Sequence, residues 1–138
     1  MNKPEVKLEE LSLAPNFQVL QDKFGVGDET IIAYGNKIFV KGKSLTGDLL
    51  VHELVHCERQ RFDEISAKQW YDKYLEDDNF RLQEEVIAYR QQYLYCCKVF
   101  KDRNKRAKIL WAMAEELSSA RYGKIINYSE AIHLINGK

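Results

Sequence analysis

Apolar positions recur every three or four residues early in the chain. Phe17, Leu20 and Phe24 fall on one face of a short amphipathic helix, and Gly25 and Gly27 end it. The pattern then changes period. Thr30 to Val40 holds two runs rich in β-branched and aromatic residues on either side of Gly35-Asn36, which predicts a hairpin. Gly42 closes the second run, and Ser44 or Thr46 can cap a helix reaching about Phe62. In that helix Leu49, Leu50, Val51, Leu54 and Val55 spread over nearly every side, so it is expected to be buried. Ser66 can cap a further helix through Trp70, Tyr71, Tyr74 and Leu75, before a turn at residues 76–79. A long helix from Phe80 to about Lys101 is predicted to turn inward Leu82, Val86, Tyr89, Tyr93, Cys97 and Phe100. Asn104 can cap the next, reaching Tyr122 with Ile109, Leu110, Met113 and Leu117 inward and Gly123 as terminator; Ser129 caps a last short helix. Residues 1–15, with Pro4 and Pro15, predict a loose start with a helical turn at Lys7 to Leu13. A small hairpin followed by a helical majority makes an α+β fold weighted to α, in one domain over residues 1–138.

Polar groups inside a buried helix are costly unless partnered. The helix after the hairpin carries three: His52, Glu53 and His56, in the pattern H-E-x-x-H, using two of the three histidines in the chain. On a helix, residues four apart share a face, so both imidazoles can grip one metal ion. Glu53, one position off that face, can take a proton from a water there, as a general base. Neutral imidazole suits zinc, which needs no redox partner. A catalytic zinc wants a third protein ligand and an open position. A histidine six residues past His56 would supply it, but position 62 is Phe, and His133 lies far down the chain. A downstream glutamate is the better source, with Glu84 and Glu85 both available. Spacing favours Glu85, because Ala88 lies one turn along on the same side and permits close helix approach. At least one of the two is expected to be a solvated surface charge. These residues point to a zinc-dependent hydrolase, with a peptidase as the first choice.

The arrangement resembles the gluzincin group of metallopeptidases, in which H-E-x-x-H is joined by a glutamate from a later helix. Glu85 to Ala88 is similar to that group's E-x-x-A element. More narrowly, residues 30–92 resemble small bacterial and phage zincin-like domains. Those carry a short hairpin, a segment like Leu50 to His56 with a Gln as at Gln60, an aromatic-rich helix, and E-x-x-A-Y as at Glu85 to Tyr89. The resemblance implies a zincin-like domain binding Zn2+ through His52, His56 and Glu85, with Glu53 as general base and a peptide or protein substrate. One departure is Tyr89, which stands where some larger gluzincins have a carboxylate that orients a histidine.

Composition narrows the alternatives. The chain is 45% hydrophobic and 30% charged, which fits a globular domain rather than a disordered one. Its 21 basic and 21 acidic residues cancel, which argues against a nucleic-acid or anionic-membrane partner. Lys98, Lys101, Arg103, Lys105, Arg106 and Lys108 then read as a solvated corner. No apolar run is long enough to span a bilayer and none near the start resembles a secretory signal, so a cytoplasmic place is expected, or a virion-associated one if the chain is phage-encoded. Cys57, Cys96 and Cys97 read as reduced, mostly structural thiols; Cys57 points about 100° from His56, away from a shared metal. The rival class is a catalytically silent zincin-like module, a binding, regulatory or phage structural component, for which an intact Glu53 has no use. An extended peptide lying along the Ile31–Val40 hairpin by strand addition is the expected substrate pose. The oxyanion donor is expected to be a tyrosine or His133.

Overall fold

The computed structural model describes residues 4–137. Three short strands form one sheet: β1 (Lys7–Glu9), β2 (Ile32–Tyr34) and β3 (Lys37–Phe39), in the order β1-β3-β2. The predicted hairpin is β2–β3, antiparallel, with Tyr34 opposite Lys37 across the two-residue turn. Gly35 takes φ +65° in that turn, a left-handed conformation that glycine adopts without a Cβ penalty. β1 lies parallel to β3 with Leu8 opposite Ile38, and a 3-10 turn follows at Leu11–Leu13. Residues 7–13 are therefore a strand and a turn rather than a loose start with a helical turn. A three-residue strand flanked by charge carries too little periodicity to be seen in sequence. Residues 1–3 of the predicted loose start lie outside the described residues.

Six α-helices make up most of the described chain: α1 (Phe17–Phe24), α2 (Gly47–Arg59), α3 (Glu64–Glu76), α4 (Asp78–Val99), α5 (Arg103–Leu117) and α6 (Tyr128–Asn136). The fold is α+β, mostly α. Gly25 ends α1 at φ +68°, as its position predicts. Three N-caps sit upstream of the expected Ser66, Asn104 and Ser129, and a fourth caps α4, whose start was expected at Phe80. Asp63, Asp77, Asp102 and Asn127 accept from the backbone N–H of Ser66, Phe80, Asn104 and Glu130. Glu130 returns a bond to the Asn127 N–H, completing a capping box. Thr46 stands at the start of α2, but its side chain makes no capping bond.

Two apolar clusters hold the layers together. The smaller joins the sheet to α2 through Ala33, Ile38, Val40, Leu45 and Cys57, with Leu50 and Leu54 packed against it. The larger gathers Trp70, Tyr71, Tyr74, Val86, Leu110, Met113, Leu117 and Ile135 from α3 to α6. Gln60, fully buried just past α2, ties the end of that helix to the hairpin: its amide donates to the Ala33 carbonyl (3.2 Å) and accepts from the Gly35 N–H (2.7 Å).

The long helices are turned differently from the prediction. On α2 the buried residues are His52, Glu53, His56 and Cys57, while Leu49 is 45% exposed and Leu50, Val51, Leu54 and Val55 are half-buried. On α4 the buried set is Arg81, Glu84, Glu85, Val86, Ala88, Tyr89, Gln92 and Cys96, whereas Leu82, Tyr93, Cys97 and Phe100 are only half-buried. Each helix aims a polar stripe at the other, since α2 packs chiefly on α4. Hydrophobic periodicity cannot find an interface built from paired polar groups. No helix among the described residues is long and apolar enough to cross a membrane.

Candidate metal centre

Two turns of α2 and one of α4 supply the centre. His52 and His56 stand four residues apart on α2 and direct their Nε2 atoms at one oxygen, Oε1 of Glu85, at 3.0 and 3.2 Å. The three ligand-type atoms lie within 4.8 Å of one another, and all three residues are buried. The other Glu85 oxygen accepts from the Tyr74 hydroxyl at 2.8 Å. The imidazoles are wedged by aromatic rings, His52 against Tyr89 (centroids 4.5 Å) and His56 against Trp70 (5.2 Å).

A chain of hydrogen bonds fixes the proton on His52. The Gln92 amide donates through Nε2 to Asp48 (2.7 Å), because a carboxylate only accepts. Its Oε1 must then face His52 Nδ1, 2.9 Å away, so Nδ1 carries the hydrogen and donates it. In the neutral ring Nε2 is then a bare lone pair, aimed at an anionic oxygen. Two acceptors that close repel unless a proton or a cation lies between them. Zinc bonds of about 2.0–2.1 Å at tetrahedral angles put neighbouring ligand atoms roughly 3.3 Å apart. The nitrogen–oxygen separations at Glu85 come close to that, so His52, His56 and Glu85 could hold a divalent ion. His56 differs, in that its Nδ1 is buried without a hydrogen-bond partner among the described residues. Burial opposes ionisation of Glu85, but wherever the imidazoles carry protons toward it the charge of His56 and the hydrogen bonds of both rings outweigh burial and hold the carboxyl well below the usual range.

Glu53 lines the same cavity as these three side chains. Burial pushes its carboxyl up to about 8, with Glu85 adding to the shift and His52 opposing it. The cavity measures about 430 Å³, within the usual range for small-ligand sites. Leu20 and Phe24 of α1, Val26, and Ile109 and Met113 of α5 give it apolar walls, while Tyr89, Arg121 and Tyr122 add polar groups.

The remaining sequence candidates fall as follows. Glu84, the rival third ligand, is also buried, so neither glutamate is a solvated charge. It accepts two bonds from Arg59 and one from Trp70 Nε1, all at 2.8 Å, and takes no part in the cluster. His133 is exposed on α6 and does not line the cavity. Cys57 lies in the sheet-facing cluster, with its sulfur toward the Lys37 carbonyl. Tyr71 and Tyr74 serve both as core and as cavity wall, whereas Tyr95 is exposed. The β2 edge proposed for strand addition is taken at its middle residue, where the Ala33 carbonyl accepts from Tyr71 (2.8 Å) and Gln60. Sequence reasoning missed Asp48, Gln92 and Arg121, and it placed Tyr74 among core or groove aromatics without its bond to Glu85. Gln92 had one usable signal, since it follows Glu85 by seven residues, two turns along the same face.

No protein-family model matches the chain, and no curated protein or solved structure matches it.

Proposed function

We propose that the chain is a zinc-dependent hydrolase of the gluzincin type, acting on peptide bonds. His52, His56 and Glu85 would hold the ion and Glu53 would act as general base. The single observation that carries this reading is the convergence of two imidazole nitrogens on one carboxylate oxygen, beside Glu53 in an open cavity. A zinc ion there supplies Lewis-acid polarisation of a carbonyl and makes a water more acidic.

The protein's own groups do the rest. Gln92, backed by Asp48, keeps the His52 proton on Nδ1. Tyr74 orients the Glu85 carboxylate through Oε2. Glu53 in its ionised form would accept a proton from water and deliver it to the leaving amine, burial making that carboxylate the stronger base. The apolar cavity walls exclude bulk water and accept an apolar side chain of the substrate.

Substitution separates binding from turnover. Glu53→Gln should retain the metal and lose hydrolysis of a mixed peptide library, whereas His52→Ala and His56→Ala should lose both. If wild type and Glu53→Gln behave alike in every assay, both holding zinc and neither cleaving the library, the peptidase reading fails and a metal-bearing module without turnover takes its place.

A further inference from the structure

The cavity holds one fixed cation that the proposed chemistry does not use. Arg121 lies on the short helix Ala120–Tyr122 and is the only lysine or arginine among the cavity-lining residues. That segment is held from below. Arg81, 2% exposed, donates to the carbonyls of Tyr122 (2.8 Å) and Tyr74 and bonds to Asp78. Its guanidinium lies so close to Gly123, at φ +93°, that a Cβ there would sit 3.1 Å from Nη2. The backbone presenting Arg121 is thus fixed, while its side chain is loosely engaged.

Arg121 Nη2 lies 3.3 Å from Glu29, and Nη1 lies 3.3 Å from Glu116. Both carboxylates are more than half exposed, and both contacts are longer than the roughly 2.7–2.9 Å of a tight charge-assisted bond. A guanidinium has five N–H donors, so a forked contact with an incoming anion remains open to it. The other polar side chains of the lining are the acids Asp48, Glu53, Glu85 and Glu116, the two imidazoles, Gln92, Thr30 and tyrosine hydroxyls; hydroxyls can add a hydrogen bond to an anion, but Arg121 alone among them carries a permanent positive charge. Two further facts shape the occupant. The cavity has apolar walls from Leu20, Phe24, Val26, Ile109 and Met113, and the middle of the β2 edge is closed to a paired strand.

We propose that Arg121 anchors the terminal carboxylate of the substrate, so that the cavity takes short peptides or acylated amino acids with an apolar side chain beside a free C-terminus. This rests on the hydrolase reading and names its substrate class. An internal stretch of a long chain offers Arg121 no such group.

The test uses N-acetyl-Leu-Phe and its C-terminal amide as probes. Their binding to the full-length Glu53→Gln protein, zinc-loaded and zinc-free, is measured by calorimetry, and zinc content is assayed separately. The acid should bind about tenfold or more tightly than the amide in both forms. Arg121→Met should abolish that preference without changing zinc content, and Arg121→Lys should restore part of it. Equal binding of acid and amide, no binding of the acid, or a preference that survives Arg121→Met overturns the proposal. The first two results need no change at Arg121, so a poorly folding Arg121→Met protein does not shield the idea. A chain that binds no zinc yet still prefers the acid would overturn the hydrolase reading and leave the Arg121 anchor standing.

Discussion

Replacing Gln92 by leucine should weaken zinc binding without touching a ligand. The variant keeps a side chain of similar volume, but it leaves the Nδ1–H of His52 without an acceptor in a residue only 5% exposed. It also takes the amide donor from Asp48. An unmet buried donor costs about 1–3 kcal/mol. Loss of the group orienting a metal-binding histidine weakens affinity by about 10–100-fold, or roughly 1.4–2.7 kcal/mol. The two estimates agree, so a drop of one to two decades in zinc affinity is expected from competition against a chelating dye. Gln92→Glu alone should also fail, because it sets two carboxylates against each other where the amide now bridges 2.7 Å. Adding Asp48→Asn reverses the polarity of the relay: the amide at 48 donates to the carboxylate at 92, which still accepts from Nδ1–H. The double variant should therefore recover most of the affinity. If Gln92→Leu binds zinc as tightly as wild type, or the reversed pair recovers nothing, the argument for a fixed His52 tautomer is wrong.

Three further variants or reagents test the frame. Gly35→Ala should lower the melting temperature. It forces a Cβ into a φ of +65°, 3.0 Å from the Asp63 carbonyl carbon, and the left-handed conformation alone costs about 1–2 kcal/mol; an unchanged melt would contradict the turn. Arg59→Met should destabilise by about 1–3 kcal/mol by leaving the buried Glu84 to Trp70 alone, a figure tempered because Arg59 is 46% exposed. Combined with Glu84→Gln in denaturant titrations, it should show a clearly non-additive effect, and simple additivity would refute the pairing. Cys57 should resist thiol reagents in the folded protein, since burial, aided by Glu53, pushes its thiol up to about 12. Peptide mass mapping should find the half-buried Cys97 modified first, and early labelling of Cys57 would contradict its placement.

The parts of the site that sequence made legible were those that lie close together on one helix. His52, Glu53 and His56 announce themselves because four-residue spacing puts both imidazoles on one face. Glu85 was favoured through Ala88, which is fully buried one turn on. The partners were not legible, because each arises from a long-range contact. Gln92 and Asp48 are 44 positions apart, and Glu84 meets Arg59 across 25. Nothing in a local window distinguishes a glutamate facing water from one facing an arginine on another helix. The same blindness turned α2 and α4 the wrong way. Apolar residues were assigned to the interior by default, yet here polar residues line the interface between the two helices, Leu49 faces outward, and Leu82, Tyr93 and Cys97 are only half-buried. The hairpin was visible because Gly35-Asn36 has a local turn signature. β1 was not, because its only support is the pairing with β3.

X-ray absorption at the zinc edge, on protein purified without chelators and checked by elemental analysis, bears most directly on the centre. One zinc per chain is expected, with two imidazole nitrogens and a carboxylate oxygen at about 2.0–2.2 Å, and with the zinc lost in His52→Ala. A protein that takes up no zinc, or binds it with a spectrum unchanged by His52→Ala, would contradict this centre.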